Sequence, residues 1–521
     1  MIARFTVNST WWRALLLASV AACAACGLVY ELALLALSAS LGRGDVVATS
    51  LIVAGYVAAL GLGAIAAKPL VARAATSFLG IETALGLIGG FSATALYLAF
   101  AVTGDSLAAL VVATLLIGGL VGAEVPLLLT LLQHGKRATA EDSGKVIANL
   151  NAADYLGALV GGLAWPFILL PNFGMLKATA AAGLINITAA TIIALLVLRT
   201  LLSKRALIIA LTGLVASALA LIALLIGARG IETTARQALY AHPIIHAEHS
   251  EYQDIVVTQL GKDRRLFLDG GLQYSTRDEY RYTESLVYPA VTEHTRTALI
   301  LGGGDGLAAR ELLRMPNIEK IVQIELDPVV IELARTTLHD DNAGSLDNPR
   351  VDVITTDAFA WLRDATDADI PQGGFDAIYA DLPDPDTAVL GRLYSEEFYG
   401  LIRRVAAPEA RLVVQSGSPF STPDAYWRTI NTMESAGWQT TPYHVHVPTF
   451  GDWGFGVGAV EKQPTVELFE GAPELKYFNA ETAEAATAFG GDVARREMEP
   501  STLEHPVIVD DIRRGWRQAG E

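Results

Sequence analysis

The sequence predicts a multi-pass α-helical membrane domain followed by a small β domain and a Rossmann-like, doubly wound α/β sheet. Three observations predict it. Residues 1–228 consist mostly of Ala, Leu, Gly, Ile and Val in runs long enough to cross a bilayer. Residues 254–272 alternate polar and apolar side chains, as short antiparallel strands do. From Thr297 onward strands and helices take turns, which is the pattern of a parallel sheet covered by helices.

The length, 521 residues, calls for several domains. The boundaries read as 1–228 for the helical domain, 229–290 for a linker and the small β domain, 291–460 for the α/β domain, and 461–521 for an acidic tail of unassigned role. Residues 1–228 hold 12 of the 38 Lys+Arg and 8 of the 55 Asp+Glu, which leaves the remainder at a net charge of −21. Such a surface repels nucleic acid and attracts small cations. Two cysteines, Cys23 and Cys26, rule out a disulfide framework or a cysteine-based zinc site. Val20–Cys23 has the look of a lipoprotein cleavage site. The apolar run continues to Leu41, however, longer than a signal peptide's core, so an uncleaved membrane helix is expected.

Seven segments are candidate spans: 14–40, 46–67, 78–102, 106–132, 149–171, 174–198 and 206–228. Glu31, Glu124 and Asp154 lie within them, where a charge is costly and faces the bundle interior or a polar cavity. They read either as a path for a cation or as groups paired with polar neighbours such as Asn149 and Asn151. Arg4, Arg13, Lys68, Arg73, Lys136, Arg137, Lys145, Arg199, Lys204 and Arg205 fall on one side of these spans, and Arg43, Lys177, Arg229 and Arg236 on the other. That bias places the N-terminus in the cytoplasm. Seven spans would then leave the second half outside, so a cytoplasmic second half requires a re-entrant segment or a further span.

In the small β domain, 254–259 and 265–268 read as a hairpin around Gly261-Lys-Asp, with a short strand near Leu272. A helix carrying Glu279, Tyr282 and Glu284 follows. Ala298–Leu301 is an apolar strand, and Gly302, Gly303, Gly304 and Gly306 then strip side chains from the turn so that a ligand can approach the backbone. A helix from about Leu307 and a strand over 320–324 lead to Glu325. A carboxylate there, some twenty residues past the turn, is where such folds hold a ribose. The third glycine of the dinucleotide pattern is replaced by Leu307, and Asp305 puts a negative charge where a pyrophosphate would sit. Asp305 therefore either meets a cationic ligand end or only caps the helix behind it. Further strands near 351–355, 375–380 and 410–415 end at Asp357, Asp381 and Gln415, with Asp384 on a loop stiffened by Pro383 and Pro385. Carboxylates recurring at one end of successive strands are the pattern of a site.

Several stretches carry a family resemblance: Ser250-Glu-Tyr-Gln-Asp-Ile, Leu268-Asp-Gly-Gly-Leu-Gln-Tyr-Ser-Thr-Arg-Asp-Glu-Tyr, Gly302-Gly-Gly-Asp-Gly, Ile324-Glu-Leu-Asp-Pro, Asp381-Leu-Pro-Asp-Pro and Pro448-Thr-Phe-Gly-Asp-Trp-Gly-Phe. In that order and spacing, residues 250–459 resemble the spermidine synthase (polyamine aminopropyltransferase) family, whose fold is of the class I methyltransferase type. With the helical segments in front, the chain resembles the membrane-bound actinobacterial branch.

The resemblance implies a donor, decarboxylated S-adenosylmethionine, as co-substrate, and no other cofactor or metal. It places Gln253, Gly302, Gly304, Asp305, Glu325 and Asp357 on the donor: Glu325 at the ribose, Asp357 at the adenine amino group, Asp305 at the aminopropyl ammonium. It places Tyr282, Glu284, Asp384 and Gln415 on the amine acceptor, with putrescine the leading acceptor, and makes Asp381 the general base. A homodimer and contact with the lipid bilayer are also implied. Three acceptor-side positions depart from the family: Leu382-Pro383 with Asp386-Thr387 in the acidic loop, Phe450 for a Tyr, and Thr283 for a His or Gln. A methyltransferase of the same fold is a competing reading, which the charge of Asp305 opposes. A non-catalytic polyamine transporter or sensor is another, motivated by the acids within the spans. The nine histidines show no metal-ligand spacing, and no G-x-S-x-G turn occurs.

Overall fold

The computed structural model describes residues 10–38, 46–103, 106–133 and 140–520. The chain divides into two compact units, Met1–Ala241 and His242–Glu521.

The first unit is helical: α1 (Thr10–Ser38), α2 (Val46–Ala66), α3 (Ala74–Thr103), α4 (Leu107–Gln133), α5 (Ala140–Ala164), α6 (Leu170–Leu196) and α7 (Lys204–Leu239). Among the described residues, six stretches in it are long and apolar enough to cross a membrane. The expected division between 149–171 and 174–198 falls within one apolar stretch, Gly144–Leu196, which holds both α5 and α6. A π turn at Trp165–Leu169 and Gly174, at φ 67° and ψ 175°, interrupt it. Small residues let the helices touch backbone to backbone. A Cβ on Gly63 would fall 1.9 Å from the Gly119 carbonyl oxygen, and one on Gly157 would fall 2.0 Å from that of Ala21. Large apolar side chains such as Leu51, Leu62, Phe167, Ile209 and Ile226 point outward and are exposed. Glu31 and Asp154 are half-buried and Glu124 is buried. A fourth acid that the sequence reading passed over, Glu82, is fully buried on α3. Arg4, Arg43, Lys136 and Arg137, on which the charge bias partly rests, lie outside the described residues.

The second unit opens with a four-stranded antiparallel meander, β1 (Ile244–His249), β2 (Asp254–Leu260), β3 (Asp263–Leu268) and β4 (Gly271–Ser275). Its inward face, Ile255, Val257, Leu266 and Tyr274, packs on Leu307, Val330, Leu333 and Leu338. After α8 (Glu279–Val287) come the strands β5 (Thr297–Gly302), β6 (Lys320–Glu325), β7 (Val351–Thr355), β8 (Phe375–Asp381), β9 (Ala406–Gln415), β10 (Gln439–Val447) and β11 (Gly451–Ala459). They form one sheet in the order β10-β11-β9-β8-β5-β6-β7. β7, β6, β5, β8 and β9 are parallel, and the β10–β11 hairpin adds an antiparallel edge.

Alternation of side chains serves both faces of this sheet. Ala298, Ile300, Ala377 and Tyr379 pack into one buried layer, while Leu299, Leu301, Ile378 and Ala380 pack into the other. The chain leaves β5 toward β6 and β7, then returns on the other side to β8 and β9. The β5–β8 boundary is therefore the topological switch point, where such sheets bind ligands.

Residues 461–520 pack on this unit. The backbone N–H groups of Lys476, Tyr477 and Phe478 donate to Glu284. Ile508, Val509 and Ile512 of the last helix, Ile508–Ala519, enter the same buried layer as Leu382 and Tyr394.

Candidate active site

Register brings the strand-end residues together. Gly302 pairs with Asp381 across β5 and β8, Leu301 with Ile324 across β5 and β6, and Glu325 with Thr355 across β6 and β7. The glycine turn thus sits between two carboxylates with no space for side chains. A Cβ on Gly302 would meet the Asp381 carbonyl oxygen at 2.1 Å, and one on Gly304 would meet the Glu325 carboxylate at 2.6 Å. Gly303 N–H donates to the Asp381 carbonyl at 3.0 Å. Gln323, fully buried on β6, donates its amide N–H to the carbonyls of Gly302 and Gly303 at 3.2 and 2.6 Å and fixes the turn from beneath.

Three acids around the turn have raised pKa values. Burial, then the nearby charge of Asp381, pushes Asp305 up to about 7, against the opposing pull of the Leu307 N–H that donates to its Oδ1 at 2.8 Å. One oxygen of Asp305 thus accepts from the N–H that begins the helix Leu307–Leu313, and the group stays in a negative environment. Burial raises Glu325 to about 7, opposed by a hydrogen bond from the Asp327 N–H. Burial raises Asp381 to about 6, opposed by the Tyr282 hydroxyl, which donates to its Oδ1 at 2.5 Å.

The remaining donor-side residues are engaged within the protein. Gln253 donates to Asp327 Oδ2 at 3.0 Å, and the Ser250 hydroxyl donates to the same oxygen at 2.6 Å. Asp327 so ties the β1–β2 turn to the end of β6. Asp357 caps the helix Ala358–Asp364 through the Ala360 N–H and forms an ion pair with Arg392.

On the other side of Asp381, Gln415 is buried with its amide nitrogen 2.6 Å from both the Leu382 carbonyl and the Tyr394 hydroxyl, and 3.4 Å from Asp384 Oδ1. The Tyr394 hydroxyl in turn lies 3.1 and 3.0 Å from the Leu382 and Pro383 carbonyls. The Leu382–Asp384 loop is thereby clamped from below. Trp516 of the last helix donates its indole N–H to Asp384 Oδ2 at 3.4 Å. Phe450 and Phe455 pack on the Tyr282 ring with centroids 6.0 and 5.2 Å away. Asp278 holds the Pro448–Phe450 turn by accepting from the Thr449 N–H and hydroxyl.

Glu284, expected beside the acceptor, is committed elsewhere. Its carboxylate is buried and accepts the three N–H groups of 476–478 at 2.9–3.0 Å. Helical geometry gives the reason: residues two apart on α8 point about 200° apart, so Tyr282 and Glu284 cannot face one site. Thr283 is likewise buried, with its hydroxyl donating to the Glu279 carbonyl at 3.0 Å. Gln323, Asp327, Asp278, Tyr394, Arg392 and Trp516 escaped sequence reasoning. Asp278 and Asp327 lie inside quoted motifs, and that is the one signal that could have found them.

A glycine turn at a sheet's switch point, flanked by Glu325 and Asp381 and by acids whose pKa values are raised, is the site of a Rossmann-like enzyme. Residues 279–470 match the spermine/spermidine synthase domain, and over 98% of both chains the sequence is 62% identical to polyamine aminopropyltransferase of Mycobacterium tuberculosis H37Rv. The chain belongs to the polyamine aminopropyltransferase family. It is also 57% identical to the polyamine aminopropyltransferase of Corynebacterium efficiens over 98% of both chains. A solved spermidine synthase in complex with the transition state analogue AdoDATO aligns with 48% of this chain and 86% of its own, at 25% identity and a TM-score of 0.44.

Proposed function

We propose that this enzyme transfers the aminopropyl group of decarboxylated S-adenosylmethionine to putrescine, giving spermidine and methylthioadenosine. The observation that carries the reading is the placement of Asp305 and Asp381 at one glycine turn, each half-buried and each raised in pKa. Asp305 receives the aminopropyl ammonium of the donor and would repel the carboxylate of intact S-adenosylmethionine. Glu325, against Gly304, receives the ribose hydroxyls. Asp381 binds the attacking amine and takes its proton. A carboxylate raised to about 6 is still ionised at neutral pH and is a stronger base than an ordinary one. The amine nitrogen forms its bond to the aminopropyl carbon as the carbon–sulfur bond breaks. The electron pair stays on sulfur, and neutral methylthioadenosine leaves. Since a sulfonium departs readily, alignment of the two substrates supplies much of the rate.

The test is turnover of the detergent-purified chain with decarboxylated S-adenosylmethionine and putrescine, cadaverine or spermidine, read by mass spectrometry. A spermidine product with putrescine supports the reading. Donor binding without product from any amine would sink it.

We further propose that the helical unit crosses the plasma membrane and that the α/β unit faces the cytoplasm. The outward apolar side chains of the helices support the first part. The intracellular origin of both substrates supports the second, against the charge bias of the loops. A fluorescent protein fused after Glu521 should fluoresce in cells, whereas a dark fusion that is active as a periplasmic reporter would reverse the orientation.

A further inference from the structure

Four helices of the first unit meet at a polar cluster that the transfer reaction does not use. Cys23 on α1, Glu82 on α3 and Glu124 on α4 are buried, and one potential ligand atom from each lies within 4.8 Å of the others. Both carboxylate oxygens of Glu82, and Oε1 of Glu124, make no hydrogen bond of good geometry among the described residues, although Cys23, Asn186 and Glu124 come near enough to Glu82 to interact with it. A fully buried amide from α6 adds an independent observation. Asn186 donates from Nδ2 to the Glu82 carbonyl oxygen at 3.1 Å, which seats its side chain against Glu82 and leaves Oδ1 buried without a partner. Unpartnered acceptors in an apolar bundle are costly, and two carboxylates side by side are more so. Among the described residues no Lys or Arg forms an ion pair with either acid.

We propose that Cys23, Glu82, Glu124 and Asn186 bind a single divalent transition-metal ion of the zinc type. The thiol selects this class: a hard cation prefers an all-oxygen shell, and an ammonium group has no use for a sulfur ligand. One sulfur and three oxygens can make the four-coordinate shell that zinc favours. On binding, the Cys23 thiol releases its proton to solvent as the sulfur–metal bond forms. Two cysteines are too few for a thiolate-built site, and a mixed site becomes visible only once Glu82 is counted with Glu124. Cys26, three residues along α1, donates to the Ala182 carbonyl at 3.3 Å and is an internal control.

The experiment uses the full chain in detergent, stripped with a chelator and titrated with Co²⁺ and then Zn²⁺. One Co²⁺ per chain should bind with a near-ultraviolet thiolate-to-cobalt band, and Zn²⁺ should abolish that band. Cys23→Ser should remove the band and Cys26→Ser should keep it. Glu82→Gln and Glu124→Gln should each weaken binding by roughly tenfold or more, at least what loss of a supporting group costs. Unchanged helical circular dichroism and a single elution peak in detergent for each variant report that the helical unit is folded. A folded wild-type chain that takes up no Co²⁺ would overturn the proposal and leave the two acids sharing protons. A band that survives Cys23→Ser, or disappears with Cys26→Ser, would overturn the ligand assignment.

Discussion

Asp381 and Asp305 are both half-buried acids at one turn, yet neutralising them should have different consequences. Asp381→Asn removes the proton acceptor and keeps the size of the side chain and the Tyr282 contact at Oδ1. Turnover should fall by roughly a hundredfold or more, the range of a lost general base, while methylthioadenosine still binds. Turnover in the wild type should rise with pH through about 6, as Asp381 ionises. Asp305→Asn should instead weaken the donor far more than methylthioadenosine, which lacks the aminopropyl ammonium; equal losses in calorimetry would reduce Asp305 to a helix cap. The same substitution tests linkage. The folded pKa of Asp305 is raised from an ordinary 3.8 to about 7, so the folded state holds the proton more tightly than the unfolded chain does. The stability this gives is complete below about 4 and is lost as pH rises toward 7. Thermal melts of the ligand-free protein should therefore depend less on pH in Asp305→Asn over that window, and an unchanged slope would contradict the assignment.

At the level of elements, the glycine turn works because β5, β6 and β8 end in register around it. Gly304→Ala would bring a methyl group within 2.6–2.9 Å of the Glu325 carboxylate, which must then move from the place proposed for the ribose. Overpacking of this kind costs about 1–3 kcal/mol, so donor and methylthioadenosine should both bind roughly tenfold more weakly or worse. Unaltered affinity for methylthioadenosine would place the ribose elsewhere. This element was legible in the chain, since an apolar run, a glycine cluster and a strand-end acid are all local signals. Asp357, Asp381 and Gln415 were legible for the same reason. What supports them was not, because each supporting contact joins residues far apart in sequence. Gln253 meets Asp327 across 74 residues, and Trp516 meets Asp384 across 132. Glu284 shows the opposite hazard. A motif places it near Tyr282 in sequence, and the turn of a helix sends it to the other side. β1 was missed because its residues, mostly exposed, give no clear alternation.

For the whole α/β unit, the segment after the family-wide core behaves as part of the core. The matched domain stops at residue 470, yet the following fifty residues cover the buried layer beneath the Asp381–Asp384 loop. Ile508, Val509 and Ile512 pack there, and Trp427 donates its indole N–H to the Val493 carbonyl at 3.1 Å. The strongest tie is ionic. Arg428, on the helix Pro423–Ser435, pairs through Nε with Asp511, which is nearly inaccessible to solvent, and donates from Nη1 to the Glu499 carbonyl at 2.6 Å. Breaking such a pair leaves a guanidinium buried without its counter-ion, at a cost of roughly 3–5 kcal/mol, whereas replacing both partners by apolar residues of similar volume costs little. Asp511→Asn should therefore destabilise the α/β unit by roughly that amount, and the Arg428→Met/Asp511→Leu double variant should recover most of the loss in denaturant melts. Because the helix bearing Asp511 also carries Trp516, the single variant should lose affinity for the amine acceptor before it loses affinity for methylthioadenosine. If Asp511→Asn melts with the wild type and keeps its acceptor affinity, the last helix is an appendage and the acceptor side of the site is complete without it.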